Sequence, residues 1–195
     1  LLHGWEQWGQ ALPGKLRGMF AFVLWDTKAG TIFGARDLFG IKPLYYYQRG
    51  ELLLFASEIK AFLAHPEFVK RFNEDRLPDY LSMEYLPGNE TLFTGVYELL
   101  PGHSFIWREG KLSLHRYGKI RYRVRNDRTL DEWAEAIDRA FTGSVAAHKI
   151  ADVEVGCFLS GGVDSSLTAC KAAGQQSQLQ CFSVGYAEQA YSELP

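Results

Sequence analysis

The sequence predicts two fold classes in succession, α+β over about the first 115 residues and α/β after them. Paired apolar runs separated by short turn sequences predict the first. A strand–loop–helix–strand succession near the C-terminal end predicts the second. A basic stretch, Arg116–Arg128, separates the two.

In the first part, Met19–Asp26 is a nearly continuous apolar strand, the turn-like Thr27–Gly30 follows, and Thr31–Asp37 returns as its hairpin partner. Leu44–Tyr47 and Leu52–Ser57 repeat the pattern around Gln48–Glu51. Strands this apolar want cover on both faces, which predicts sandwiched sheets. A short helix is expected from Glu58 to about Ala64, with Ser57-Glu58 as its cap, ended by His65-Pro66 because proline restrains the residue before it. A second helix is expected over Glu74–Tyr85, with Asn73 as N-cap and Pro78 in the first turns, where a missing N–H costs least. Strands are then expected around Val96–Leu100, Ser104–Arg108 and Lys111–His115.

Arg116–Arg128 carries six Lys or Arg residues against one acid, Asp127, with basic and apolar residues alternating from Lys119 to Arg125. A solvated edge strand or an interdomain connection accounts for it better than a nucleic-acid strip, since phosphate binding recruits positive charge more broadly. Beyond it, Thr129-Leu130-Asp131-Glu132 is a capping box, and Trp133, Ile137, Phe141 and Val145 form an apolar stripe expected to be a core face. A strand Val153–Leu159, a helix to about Ala173 and a strand Leu179–Tyr186 complete a βαβ unit.

Composition excludes several classes. With 47% hydrophobic and 23% charged residues the chain is globular, and a net charge of −2 gives no global case for a nucleic-acid or membrane partner. Cys157, Cys170 and Cys181 lack metal-site or disulfide-framework spacing and are expected to be buried free thiols. No apolar run approaches the roughly 18 residues of a membrane span. The start, Leu1-Leu2-His3, has neither a signal-peptide pattern nor an initiator Met, so a cytoplasmic protein cut from a longer chain is expected.

The strongest chemical signal is Ser160-Gly161-Gly162-Val163-Asp164-Ser165-Ser166 between a strand and a helix. Two glycines let the backbone approach a ligand closely, and the helix behind them offers unpaired N–H groups and the positive end of its dipole. Serine hydroxyls add donors, and Asp164 can hold a Mg²⁺ that bridges phosphates. Neither the Walker A nor the G-x-G-x-x-G pattern is present. A plain strand-to-helix turn, capped by Asp164 or a serine, is the structural alternative.

This segment resembles the PP-loop of the ATP pyrophosphatases, S-G-G-x-D-S. The resemblance implies ATP cleavage between the α and β phosphates, with Ser160, Gly161, Gly162, Val163, Asp164 and Ser165 around the pyrophosphate and Asp164 on the metal. Phe158 (through its backbone) and Val184 would flank the adenosine.

Earlier segments are similar to the class II glutamine amidotransferase domain of glutamine-hydrolysing asparagine synthetases. They are Gly18–Phe22, Asp26, Ala35–Asp37, Gly40–Tyr46, Phe55–Ala61 and Leu100–His103. The resemblance implies an Ntn-hydrolase-like pair of sandwiched sheets over 1–117, a linker over 118–128, and the PP-loop parallel sheet of the synthetase over 129–195, both domains in part. It gives Asp26 the α-amino group of glutamine. Arg36-Asp37 and the Gly40–Pro43 turn are read as architecture, an ion pair and a rigid corner. The family's N-terminal cysteine nucleophile has no counterpart, since no cysteine precedes Cys157, so the chain alone is expected to be inactive. Tyr117-Gly118 stands where relatives often have Tyr-Trp.

The parent reaction so implied hydrolyses glutamine to ammonia and amidates aspartate through a β-aspartyl-AMP intermediate, using ATP and Mg²⁺, in a protein that associates as a homodimer. Two rivals stand beside it. One is a relative of the same architecture with another acceptor (peptide-cyclising, sugar-modifying or β-lactam-forming). The other is a non-catalytic nucleotide-binding module.

Overall fold

The two hairpins form as the apolar runs dictate. In the computed structural model, which describes residues 1–176 and 178–186, β1 (Ala21–Asp26) pairs antiparallel with β2 (Thr31–Arg36), and β3 (Tyr45–Arg49) with β4 (Leu52–Ala56). β5 (Val96–Glu98) joins β3, while β6 (His103–Arg108) and β7 (Lys111–Arg116) extend the first hairpin. The result is a four-stranded sheet of order β1-β2-β6-β7 and a three-stranded sheet of order β4-β3-β5.

The two sheets face each other across one core. Leu44, Tyr46 and Leu99 from the smaller sheet's side meet Phe105, Val23, Ile32 and Leu112 from the larger. Alternation then sends Tyr47 and Val96 to the far side of the smaller sheet, where Phe62, Ile59 and Phe68 cover them. Sequence alternation thus places cover on both faces of β3, as its apolar run requires. Gly34 faces Phe105 across the β2–β6 ladder, and a Cβ there would lie 2.2 Å from the Phe105 ring, so only glycine fits.

Several local expectations need correction. Ile59–Ala64 is a 3₁₀ helix, and neither Ser57 nor Glu58 caps it. Glu58 instead pairs with Lys60. The next helix begins as a 3₁₀ turn, Glu74–Arg76, and α-helical geometry is confined to Leu77–Met83, with Pro78 in its first turn. Asn73 does not cap it, because its amide donates to the Thr91 carbonyl and ties two distant loops. Ahead of β1, an α-helix, Leu2–Trp8, and a 3₁₀ segment, Gly9–Lys15, pack Leu12 and Pro13 inside. Nothing in the sequence pattern marked them. In chain order these helices are α1 (Leu2–Trp8) and α2 (Leu77–Met83).

Arg36 and Asp37 do not pair with each other. Arg36 is 6% exposed; its guanidinium binds Glu98 at 2.7 Å and donates to the carbonyls of Gly40, Lys42 and Leu99. Asp37, 1% exposed, accepts from the N–H groups of Phe39, Ile41 and Lys42. Burial raises its pKa, but those N–H groups outweigh burial and hold it below the usual carboxylate value. The corner extends to Tyr117, whose hydroxyl donates to the Arg36 carbonyl at 2.6 Å. Burial first, and the Asp37 charge second, push that phenol up to about 12. The Gly118 N–H bonds the Gly102 carbonyl at 3.1 Å, and a Cβ on Gly118 would lie 2.8 Å from the Leu38 side chain.

The chain divides into two units, Leu1–Tyr122 and Arg123–Pro195. No strand forms over 117–128, so the basic stretch is not an edge strand. Its first part, Arg116, Lys119 and Arg121, lines a cleft of about 650 Å³ with Arg17, Phe20 and Phe39.

In the second unit the capping box forms in full and opens α3 (Leu130–His148). The apolar stripe of α3 is not a closed core face. Ile137 is 64% exposed and no α3 residue is buried, although α4 (Val163–Ala173) packs against that helix and Gln175 donates to the Thr142 carbonyl. The two expected strands shorten to β8 (Cys157–Phe158) and β9 (Cys181–Phe182), paired in parallel. With one partner each among the described residues, they have no second ladder to extend them. The cysteines are free as expected but not buried: Cys157 is half-buried, and Cys170 and Cys181 are exposed. No helix among the described residues is long and apolar enough to cross a membrane.

Candidate functional site

The loop Ser160–Ser166 leaves β8 and enters α4 at the C-terminal end of the parallel pair, where α/β sheets place ligands. Gly161 has φ 84°, which glycine adopts without strain, and it turns the chain so that Gly162 becomes the N-cap of α4. No side chain caps that helix, so neither Asp164 nor a serine plays the structural role a plain turn would give it. The first N–H groups of α4 are left without a side-chain acceptor, at the positive end of an eleven-residue helix.

Serines hold the loop's shape. Ser165 Oγ donates to the Gly162 carbonyl at 3.0 Å and accepts from the Ser160 N–H at 3.4 Å, and the Ser160 hydroxyl lies 3.1 Å away. Asp164 stands in the first turn, exposed, with no ion pair among the described residues. Such a carboxylate, beside free donors, suits Mg²⁺, which takes one or two protein carboxylates and fills its sphere with water and phosphate oxygens. No cluster of three His, Cys, Asp or Glu side chains occurs among the described residues. Phe158, on β8, is 84% exposed, and Val184, just past β9, is 68% exposed.

Asp26 closes β1 and is anchored on both oxygens. Oδ1 accepts from the N–H groups of Lys28 (3.1 Å) and Ala29 (2.9 Å), which folds the β1–β2 turn. Oδ2 accepts from the indole N–H of Trp5 at 3.0 Å, 21 positions away. The Trp5 bond first, and the Ala29 N–H second, hold the Asp26 carboxyl below its usual pKa. These three bonds make Asp26 a structural member of the turn. Asp26 and the loop Ser160–Ser166 lie in different units. Sequence reasoning missed Trp5, since a contact made through a separate helix leaves no periodic signal.

The glutamine amidotransferase domain family matches residues 1–118, and the asparagine synthase family matches residues 136–195. Asparagine synthetase [glutamine-hydrolyzing] 3 of Bacillus subtilis is 34% identical over 195 residues, covering 96% of this chain and 31% of that protein. Asparagine synthetase [glutamine-hydrolyzing] 1 of the same organism is 35% identical over 196 residues, covering 100% of this chain and 30% of its own length. Amidase chry2 of Gibberella zeae is 37% identical over 172 residues, covering 85% of this chain and 25% of that protein. The chain therefore spans about three tenths of the length of the synthetases it matches. With more than half of its residues matched by the first family, the chain belongs to the glutamine amidotransferase domain family, and its segment 136–195 matches the asparagine synthase family.

Proposed function

We propose that the protein carrying this chain is an ATP-dependent asparagine synthetase that hydrolyses glutamine and amidates aspartate with the ammonia released. One observation carries the reading: a glutamine amidotransferase domain and an asparagine synthase segment with an uncapped, glycine-lined helix N-terminus occur in one chain. Residues 1–117 form the glutaminase part, 118–128 the connection and 129–195 the synthetase part.

In the synthetase part, the N–H groups of Gly162, Val163, Asp164 and Ser165 surround the pyrophosphate of ATP, assisted by the Ser160 and Ser165 hydroxyls and the Gly161 turn. Phe158 and Val184 bracket the adenosine. Bound Mg²⁺ would be held by Asp164 and would neutralise phosphate charge. These groups are pre-placed donors at the site of developing negative charge, which stabilises transfer without reorganisation. Aspartate activated as its adenylate loses AMP to the attacking ammonia, which forms the amide. The likeness to amidase chry2 supports a second reading, the same architecture acting on another carboxylate acceptor.

The test is one substitution in the whole protein. Asp164→Ala should lower synthesis at least about 100-fold while glutamine hydrolysis persists, as loss of electrostatic stabilisation commonly does. Both activities falling together in the folded variant would refute the assignment. Replacing aspartate with other carboxylates in the same assay separates the two readings.

A further inference from the structure

We infer that Cys157 and Cys181 form a paired redox site at the base of the loop Ser160–Ser166. A peroxide joins them in a disulfide that displaces the loop; the effect on ATP rests on the reading of that loop given above. The two residues are register partners across the parallel β8–β9 pair. Register partners in a parallel ladder project from one face. The next pair, Phe158 and Phe182, does so on the opposite face, where the ring centroids stand 6.4 Å apart. Neighbouring strands run about 4.7–4.9 Å apart, inside the roughly 4.4–6.8 Å that a disulfide spans between Cα atoms. Both thiols are free, Cys181 exposed and Cys157 half-buried. The third thiol, Cys170, sits on α4, off this ladder.

Exposure assigns the roles. The Cys181 sulfur attacks one peroxide oxygen, the O–O bond breaks, and one water leaves with a sulfenic acid formed on Cys181. Cys157 then attacks that sulfur: the S–S bond forms, the S–O bond breaks, and a second water carries off the Cys157 proton. Two thiols are oxidised to one disulfide, and the peroxide is reduced to two waters. The bridge draws the two Cβ atoms to roughly 3.5–4.5 Å, closer than the strand spacing. The ladder can yield, because each strand is two residues long. Its bonds run from the Cys157 N–H to the Gln180 carbonyl at 2.9 Å and from the Leu159 N–H to the Phe182 carbonyl at 2.8 Å. The Leu159 carbonyl also accepts from the Ser183 hydroxyl at 2.5 Å, and Ser160 follows directly. A tilt of β8 against β9 therefore moves the first residue of the loop.

The experiment treats the whole protein, reduced and freed of reductant, with hydrogen peroxide. Digestion without reductant and mass spectrometry should give a peptide pair joined through Cys157 and Cys181, two hydrogens lighter than its parts. Dithiothreitol should part it, and Cys170→Ser should leave it unchanged. Aspartate-dependent exchange of pyrophosphate into ATP should fall about 100-fold, the scale of an ångström's misplacement in a site, and return with dithiothreitol. Cys181→Ser should keep its exchange under the same peroxide. If Cys157 and Cys181 stay unlinked, or link to Cys170 instead, the pair is overturned. A linked pair with unchanged exchange overturns the displacement of the loop. Full exchange in Asp164→Ala overturns the reading of the loop and leaves the disulfide standing. If Cys181→Ser folds poorly, the wild-type protein decides alone. Its exchange should fall and recover in step with the linked peptide, and a loss that runs ahead of linkage defeats the proposal.

Discussion

Two polar, glycine-bearing turns of this chain look alike in sequence and differ in what they leave free. The corner Arg36–Pro43 follows β2, and the loop Ser160–Ser166 follows β8. At the corner every group is consumed internally: the guanidinium on Glu98 and three carbonyls, the Asp37 carboxylate on three N–H groups. At the loop the serines satisfy one another, but the Asp164 carboxylate and the first N–H groups of α4 find no side-chain partner among the described residues. Buried polar groups must be paired, whereas groups awaiting a ligand must not be. Residual valence, more than glycine content, separates architecture from a binding site here.

The largest expected effect breaks the closed member of the pair. Arg36→Met removes the guanidinium and strands the Gly40, Lys42 and Leu99 carbonyls and part of Glu98. The expected cost is about 3–5 kcal/mol, typical of removing one partner from a buried ionic network. Arg36→Lys should recover little of it, because an ammonium cannot span the same fork. Asp164→Ala, by contrast, should change stability by no more than about 0.5 kcal/mol, as surface substitutions do. Urea unfolding followed by hydrogen exchange within each unit measures both. Comparable losses at the two positions would erase the distinction.

How much of this was legible beforehand follows the same division. Patterns fixed by near neighbours were readable: the two hairpins, the capping box of α3 and the glycine loop before α4. Arg36 and Asp37 are architecture, as their sequence context suggests, but they do not pair with each other: Arg36 ends β2 and reaches Glu98 and three carbonyls, while Asp37 begins the corner and accepts from its N–H groups. Asn73 reads as a cap in sequence, yet it bonds Thr91 18 positions away. Trp5 carries no local hint of Asp26. At the loop the residue types are plain from the sequence, whereas the lack of a side-chain cap on α4 depends on backbone geometry.

Acid sharpens the comparison at an intermediate scale. Asp37 has a folded-state pKa below its ordinary value, so its stabilising share is fully present above about pH 4, the unfolded value, and fades as pH falls through the folded one. The amides of Phe39, Ile41 and Lys42 should therefore lose exchange protection below about pH 4, after correction for intrinsic rates. Asp37→Asn, which cannot accept with two charged oxygens, should start less stable and show a flatter acid dependence. An unchanged acid slope in that variant would assign the limit to another carboxyl.

The smallest effect concerns a third turn, Thr129–Glu132, which is exposed and yet closed. Thr129 Oγ1 accepts from the Glu132 N–H at 3.3 Å, and the Thr129 N–H donates to Glu132 Oε2 at 2.7 Å. Water can replace either bond, so Thr129→Ala should cost about 1 kcal/mol, and Thr129→Ser much less. The loss should appear as faster exchange in the first turn of α3 and should leave the β1–β7 sheets untouched, since the cap touches only its own helix. Closure by neighbours within four residues is weak but autonomous; closure by partners from across a sandwich, as at Arg36, is strong and cooperative. A cost above about 3 kcal/mol for Thr129→Ala would break that rule, because a solvated cap alone cannot supply it. Such a result would mean that the entry of α3 is held by contacts beyond the capping box.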